Sequence, residues 1–151
     1  DVLSRIGEAV GSGHFSELIE DIAGLVDRFC ALFKQTQVSM RLKSMDRAMC
    51  PRFHVDKVPC RLLTTYHGAA TEWLPHHLAD QTKLGTGCNG QPDHLSGIYQ
   101  HPGDIQQLSC GDVALLKGTR WRGNEHAGLV HRSPELPDGE RRLFLSIDFV
   151  R

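Results

Sequence analysis

Apolar residues recur at three- and four-residue steps from Phe15 to Phe33: Phe15, Leu18, Ile19, Ile22, Val26, Phe29 and Phe33. Glu17, Glu20, Asp21, Asp27 and Arg28 fill the gaps. That period lines one side of a helix with hydrophobic groups. An amphipathic helix packed on the outside of a sheet is expected here. The period then falls to two in Val38-Ser39-Met40-Arg41-Leu42, as in a half-buried strand. Phe53-His54-Val55-Asp56 follows the Cys50-Pro51 break and reads as a second strand. Cys60 to Tyr66 is rich in β-formers and ends at His67-Gly68.

From Pro75 to Gly103 the periodicity fades among Gly85, Gly87, Gly90, Pro92, Gly97, Pro102 and Gly103. This reads as a long excursion with a short helix near Leu78 to Lys83, and long excursions in small domains are functional or mobile. Strand signals return at Ile105 to Leu108 and at Val113 to Leu116, after the Cys110-Gly111-Asp112 turn. They recur at Gly128 to His131 and Leu143 to Phe149. Many short strands behind one helix predict a mainly β protein, an antiparallel sandwich or small barrel. Helices do not alternate with strands, which excludes a βαβ fold. The expected division is a helical segment over 1–36 and one compact domain over 37–151. The start, Asp1-Val2-Leu3-Ser4-Arg5, has no initiator Met and no signal-peptide pattern, and reads as the edge of a piece of a longer chain.

Composition narrows the function classes. With 151 residues the chain can bury a core without disulfides. Its formal net charge is −1 and no basic stripe is interleaved with aromatics, so neither nucleic acid nor an anionic membrane is an expected partner. No apolar run nears the roughly 18 to 20 residues of a membrane span. Cys30, Cys50, Cys60, Cys88 and Cys110 are scattered with no CxxC pair, which predicts a reducing, cytoplasmic setting.

The candidate chemistry lies in His54-x-Asp56. On a strand, residues i and i+2 share a face, so an imidazole and a carboxylate point into one space. His131, on a late strand, is the candidate third metal ligand; His126 competes but precedes Gly128 and reads as loop. Two His and one carboxylate suit Fe(II) with open positions, and also Zn(II) or Mn(II). Arg142 opens the last strand, where a guanidinium is able to pair with a ligand carboxylate. Alternation leaves two choices there. Arg141 faces inward with Leu143, Leu145 and Ile147, or Arg142 does with Phe144, Ser146 and Asp148; the second is preferred. Thr71-Glu72-Trp73 is a candidate mouth of the site, and Lys117 and Arg120 are candidate anion-attracting charges. Cys50 with Cys60, and His76, His77, Cys88 and His94, are weaker alternative metal sets.

The order HxD, distant His, then Arg resembles the 2-oxoglutarate/Fe(II)-dependent oxygenase superfamily over roughly residues 37 to 150. The resemblance implies a jelly roll, the cupin-like double-stranded β-helix. It implies iron on His54, Asp56 and His131, and the distal carboxylate of 2-oxoglutarate on Arg142, with Tyr66 or Thr64 adding a hydroxyl. More closely, Cys50-Pro51-Arg52-Phe53-His54-Val55-Asp56, Arg61-Leu62-Leu63-Thr64-Thr65-Tyr66-His67-Gly68, Thr71-Glu72-Trp73-Leu74 and His131-Arg132-Ser133-Pro134 resemble a bacterial domain-of-unknown-function family associated with zinc-responsive gene neighbourhoods. The leading expectation is a 2-oxoglutarate/Fe(II) oxygenase acting on a small-molecule or protein substrate. The alternatives are a non-catalytic zinc module of metal homeostasis or regulation, and another cupin-like metalloenzyme. Oligomeric state leaves no signature in the sequence.

Overall fold

The computed structural model describes residues 15–150; the chain start, Asp1 to Arg5, lies outside them. The chain divides into two compact units, Asp1–Val38 and Ser39–Arg151. In the first, α1 (Phe15–Phe33) matches the expected helix. Leu18, Leu25 and Phe29 are its buried residues, while Ile19 is 37% exposed, so the buried stripe is rotated from the expected one. Lys34, in the left-handed region at φ 52°, ends the helix.

The second unit is mainly β, with two antiparallel sheets. Its strands are β1 (Val38–Met45), β2 (Cys60–His67), β3 (Glu72–Leu74), β4 (Gln106–Gln107), β5 (Val113–Lys117), β6 (Val130–Arg132) and β7 (Arg142–Phe149). One sheet has the order β1-β7-β2-β5, the other β4-β3-β6. His54 extends the second sheet through a single antiparallel bridge to His131.

Register fixes which side chains share a face. Along β2, Arg61, Leu63 and Thr65 lie opposite Asp148, Ser146 and Phe144 of β7, and Arg61 and Leu63 also lie opposite Leu116 and Ala114 of β5. This face meets the second sheet: Arg61 bonds Asp56, and Arg142 bonds Thr71. Leu62, Leu145 and Ile147, on the other face, are 0 to 4% exposed. Burying each such side chain stabilises the fold by roughly 1.5–3 kcal/mol. Where β2 ends, Gly68 takes φ 80° and a Cβ there would stand 2.3 Å from the Arg141 carbonyl oxygen. Only glycine permits that approach to the start of β7.

The excursion is not bare loop. It carries tight 3₁₀ turns at His76–Leu78, Gln81–Lys83, Gly85–Cys88 and Pro102–Asp104, and the one-turn helix α2 (Asp93–Ser96). Two short turns, His76–Leu78 and Gln81–Lys83, replace the single helix expected near Leu78 to Lys83. Ile98, with Ala79, Leu84 and Tyr99, packs on Phe53, Leu74 and Val130. The excursion therefore covers the back of the second sheet, on the side away from His54 and His131. Among the described residues no helix is long and apolar enough to cross a membrane, and the five cysteines are unpaired thiols.

Candidate metal centre

His54 and His131 exchange both backbone hydrogen bonds at 3.0 Å, which sets their side chains directly opposite. Their ring centroids are 4.5 Å apart. The HxD segment is thus extended but makes one bridge only, not the strand expected. Asp56, two residues on, returns to the same side. Its Oδ1 lies 3.9 Å from His54 Nε2 and its Oδ2 3.4 Å from His131 Nε2. All three donor atoms fall within 4.8 Å of one another.

The tautomers follow from what each ring touches. His54 Nδ1 sits 2.9 Å from the Arg52 carbonyl, and His131 Nδ1 2.9 Å from the Leu129 carbonyl. A carbonyl only accepts, so each Nδ1 carries a proton and each Nε2 is the atom turned toward Asp56. Backbone partners of this kind orient metal-binding imidazoles. Burial, reinforced by the neighbouring His54 and Arg61, pushes His131 down to about 4, against the opposing pull of Asp56 and the Leu129 carbonyl. It is therefore neutral at pH 7. The His54 side chain is 34% exposed against 6% for His131, so the cluster opens on the His54 side.

Asp56 is held by its own surroundings. Arg61 Nη1 donates to its Oδ2 at 2.9 Å, while Arg61 Nε and Nη2 form a bidentate pair with Asp148 at 2.8 and 3.0 Å. Burial disfavours the Arg61 cation, but these two carboxylates outweigh it and raise its pKa. The Asp56 carbonyl accepts from Thr119 N at 2.9 Å, the Val58 carbonyl from Arg120 N and the Pro59 carbonyl from Gly118 N. A Cβ on Gly118 would come within 2.6 Å of the Asp56 carbonyl oxygen. The loop at Gly118 thus clamps the chain that presents Asp56.

Asp93, from α2, ties the flanks of both histidines. Its Oδ2 accepts from Phe53 N at 2.9 Å and from Arg132 Nη1 at 3.1 Å, and its Oδ1 lies 3.7 Å from Arg52 Nε. Glu72 completes the pairing with Arg132 at 2.6 Å.

Arg142 is 2% exposed, whereas Arg141 points outward to Ser44. Its Nη2 donates to Thr71 Oγ1 at 2.7 Å and Thr65 Oγ1 at 3.1 Å. Its Nε has no hydrogen-bond partner, alone among the buried side-chain polar atoms of the described residues. Burial pushes its pKa down to about 10. A cavity of about 200 Å³ is lined by Thr71, which bonds Arg142, and by His131 of the cluster, beside Trp73, Leu116 and Leu129. The sequence points to Thr64 or Tyr66 as hydroxyl partners of an Arg142 ligand. By strand alternation Thr64 lies on the opposite face, level with Leu145, and Tyr66 follows where a register shift interrupts the pairing. Thr65 and Thr71 are the hydroxyls that reach the guanidinium.

The sequence matches the family described as "Protein of unknown function (DUF1826)" over residues 3–148. The chain belongs to this family. No curated protein and no solved structure matches it.

Several of these residues escaped sequence reading. The alternation Arg61-x-Leu63-x-Thr65 carries a signal, because it sets a cation and a hydroxyl on one inward face. Asp93 carries none, since its role depends on how a Gly- and Pro-rich segment folds back. The alternative metal sets do not assemble: among the described residues His54, Asp56 and His131 form the one candidate cluster, without Cys50, Cys60, His76, His77, Cys88 or His94. Lys117 lies over the Trp121 ring at 4.9 Å and is not part of the cluster.

Proposed function

We propose that this chain binds one divalent metal ion through His54, Asp56 and His131 and uses it, with 2-oxoglutarate, to oxygenate a substrate. The donor set fits such an ion. Ligands about 2.1 Å from a metal and at right angles are about 3 Å apart, against 3.4 and 3.9 Å from Asp56 to the two imidazoles here, so the side chains close inward on an ion. Three protein donors leave positions free for other ligands. Iron(II) there supplies the electrons that activate O₂.

The single observation that carries the reading is Arg142. A buried guanidinium with an unmatched Nε and only hydroxyl partners calls for an anion. Thr71, which holds it, shares a mostly apolar cavity with the metal-facing His131. In this reading a short keto acid reaches from the cluster toward Arg142, which takes its distal carboxylate. Trp73, Leu116 and Leu129 exclude water around it. Arg61 keeps Asp56 aimed.

The order of the pairs supports a jelly roll. Counting the His54 segment as a strand makes eight, and the first pairs with the last (β1 with β7), the second with the seventh (His54 with His131), the third with the sixth (β2 with β5) and the fourth with the fifth (β3 with β4). That nested pairing is a long hairpin rolled on itself.

In the overall reaction 2-oxoglutarate and O₂ give succinate and CO₂, and the second oxygen atom enters a substrate C–H bond. Succinate formation by the iron-loaded chain tests this. The expected result is turnover, at least in the uncoupled absence of substrate, that is lost in Asp56→Ala and in Arg142→Met. Tight zinc binding without turnover in the iron-loaded chain would contradict the oxygenase reading and favour a zinc-handling module, which the same three donors suit.

A further inference from the structure

A second, larger cavity of about 620 Å³ adjoins the cluster on the other side of Arg61. Arg41 of β1, Arg61 of β2 and Arg120 of the clamping loop all line it, and Asp148 is the only acidic residue there. Asp148 is committed to Arg61 through both oxygens. Neither Arg41 nor Arg120 has an ion pair among the described residues. Two exposed arginines without an ion pair thus line a concave space of the size that small ligands occupy, roughly 300–1,000 Å³. Val58, Pro59 and Phe149 supply apolar wall beside them. Positive charge in a cleft with apolar walls concentrates anions.

The location gives this charge a purpose. Arg61 lines the cavity and donates to Asp56 through Nη1 at 2.9 Å. A molecule held by Arg41 and Arg120 therefore lies one side chain away from the donor cluster, and on a different wall from Arg142. The chain as a whole carries a net charge of −1. That balance offers a polyanion no general attraction beyond this cleft, so the charge pattern favours a small molecule over nucleic acid.

We infer that this cavity receives a small anionic molecule bearing a carboxylate or phosphate, anchored by Arg41 and Arg120. Calling that molecule the substrate rests on the metal-dependent reading above; its binding does not. Guanidinium groups grip either anion through paired N–H donors, so the shared chemistry of the two is what the cavity selects.

Inorganic phosphate titrated into the chelator-treated chain tests the site, with zinc binding measured in parallel on the same preparation. The expected result is phosphate binding that weakens about tenfold or more in the Arg41→Ala/Arg120→Ala double variant, a loss of at least about 1.4 kcal/mol. Arg41→Lys/Arg120→Lys should retain more of it. Zinc affinity should be the same in the double variant, which also reports that its fold is intact. Phosphate that fails to bind, or binds the double variant as well as the parent chain, would overturn the inference. Zinc binding without phosphate binding sinks only this cavity. Phosphate binding without zinc binding sinks only the metal reading.

Discussion

Arg142 carries the sharpest consequence at the scale of one residue. Its charge is disfavoured by burial and no carboxylate of the described residues answers it. Replacing it with methionine should therefore stabilise the ligand-free chain, by about 1–4 kcal/mol, while ending its response to dicarboxylates. Thermal melts with and without succinate check both halves, and a destabilised Arg142→Met would contradict the account. His131 sets the pH dependence. Its folded-state pKa is depressed to about 4, below its ordinary 6.5, so between these values the unfolded chain binds more protons. Stability of the metal-free chain should fall as pH drops from about 6.5 to about 4, by on the order of a few kcal/mol, and this contribution should level off below. Denaturant midpoints across that range, beside His131→Gln, measure it; equal slopes in the two proteins would exclude His131 as the cause. The residue types themselves were legible: an imidazole and a carboxylate two apart, and a late His before an Arg. Which of two adjacent arginines turns inward was not, because β7 is buried on both faces and hydrophobicity cannot distinguish them.

Elements decide how firmly the donors are presented. Between Pro51 and Pro59 the HxD segment makes one bridge and no more. Its later carbonyls, from Asp56, Val58 and Pro59, are taken by Thr119, Arg120 and Gly118 instead of by a neighbouring strand. That is why alternation, which predicts a strand there, gives the right faces and the wrong element. Gly118→Ala would drive a methyl into the Val58 and Asp56 carbonyl oxygens, so it should lower metal affinity along with stability. Titration with zinc should detect the loss. Asp93 makes a parallel prediction from the opposite side of the sheet. Asp93→Ala leaves Arg132 and the Phe53 N–H short of a partner and should cost about 3 kcal/mol or more. Metal affinity should drop about 10- to 100-fold, as when outer supports of metal ligands are removed. An affinity unchanged in Asp93→Ala would make Asp93 a prop of the excursion only. The excursion itself was opaque to pattern reading, because 3₁₀ turns rich in Gly and Pro have no amphipathic period.

Over the whole molecule, long-range pairing joins what the sequence keeps apart. His54 meets His131, and Arg61 meets Asp148, because strands from opposite halves of the second unit lie side by side. The regular elements were legible where the period was clean, as in α1, β2 and β7. The pairing order was not, since nothing local in His54 or His131 names its partner across the sheet. One feature of the molecule outranks the rest: three donors of metal-binding type converge on one space. The most direct test is the metal content of the purified chain, before and after anaerobic loading with iron(II) and zinc(II), beside His54→Ala. The account predicts one bound ion per chain that is lost in the variant while its melting profile persists. No stoichiometric metal with either ion, or equal binding by His54→Ala, would contradict it.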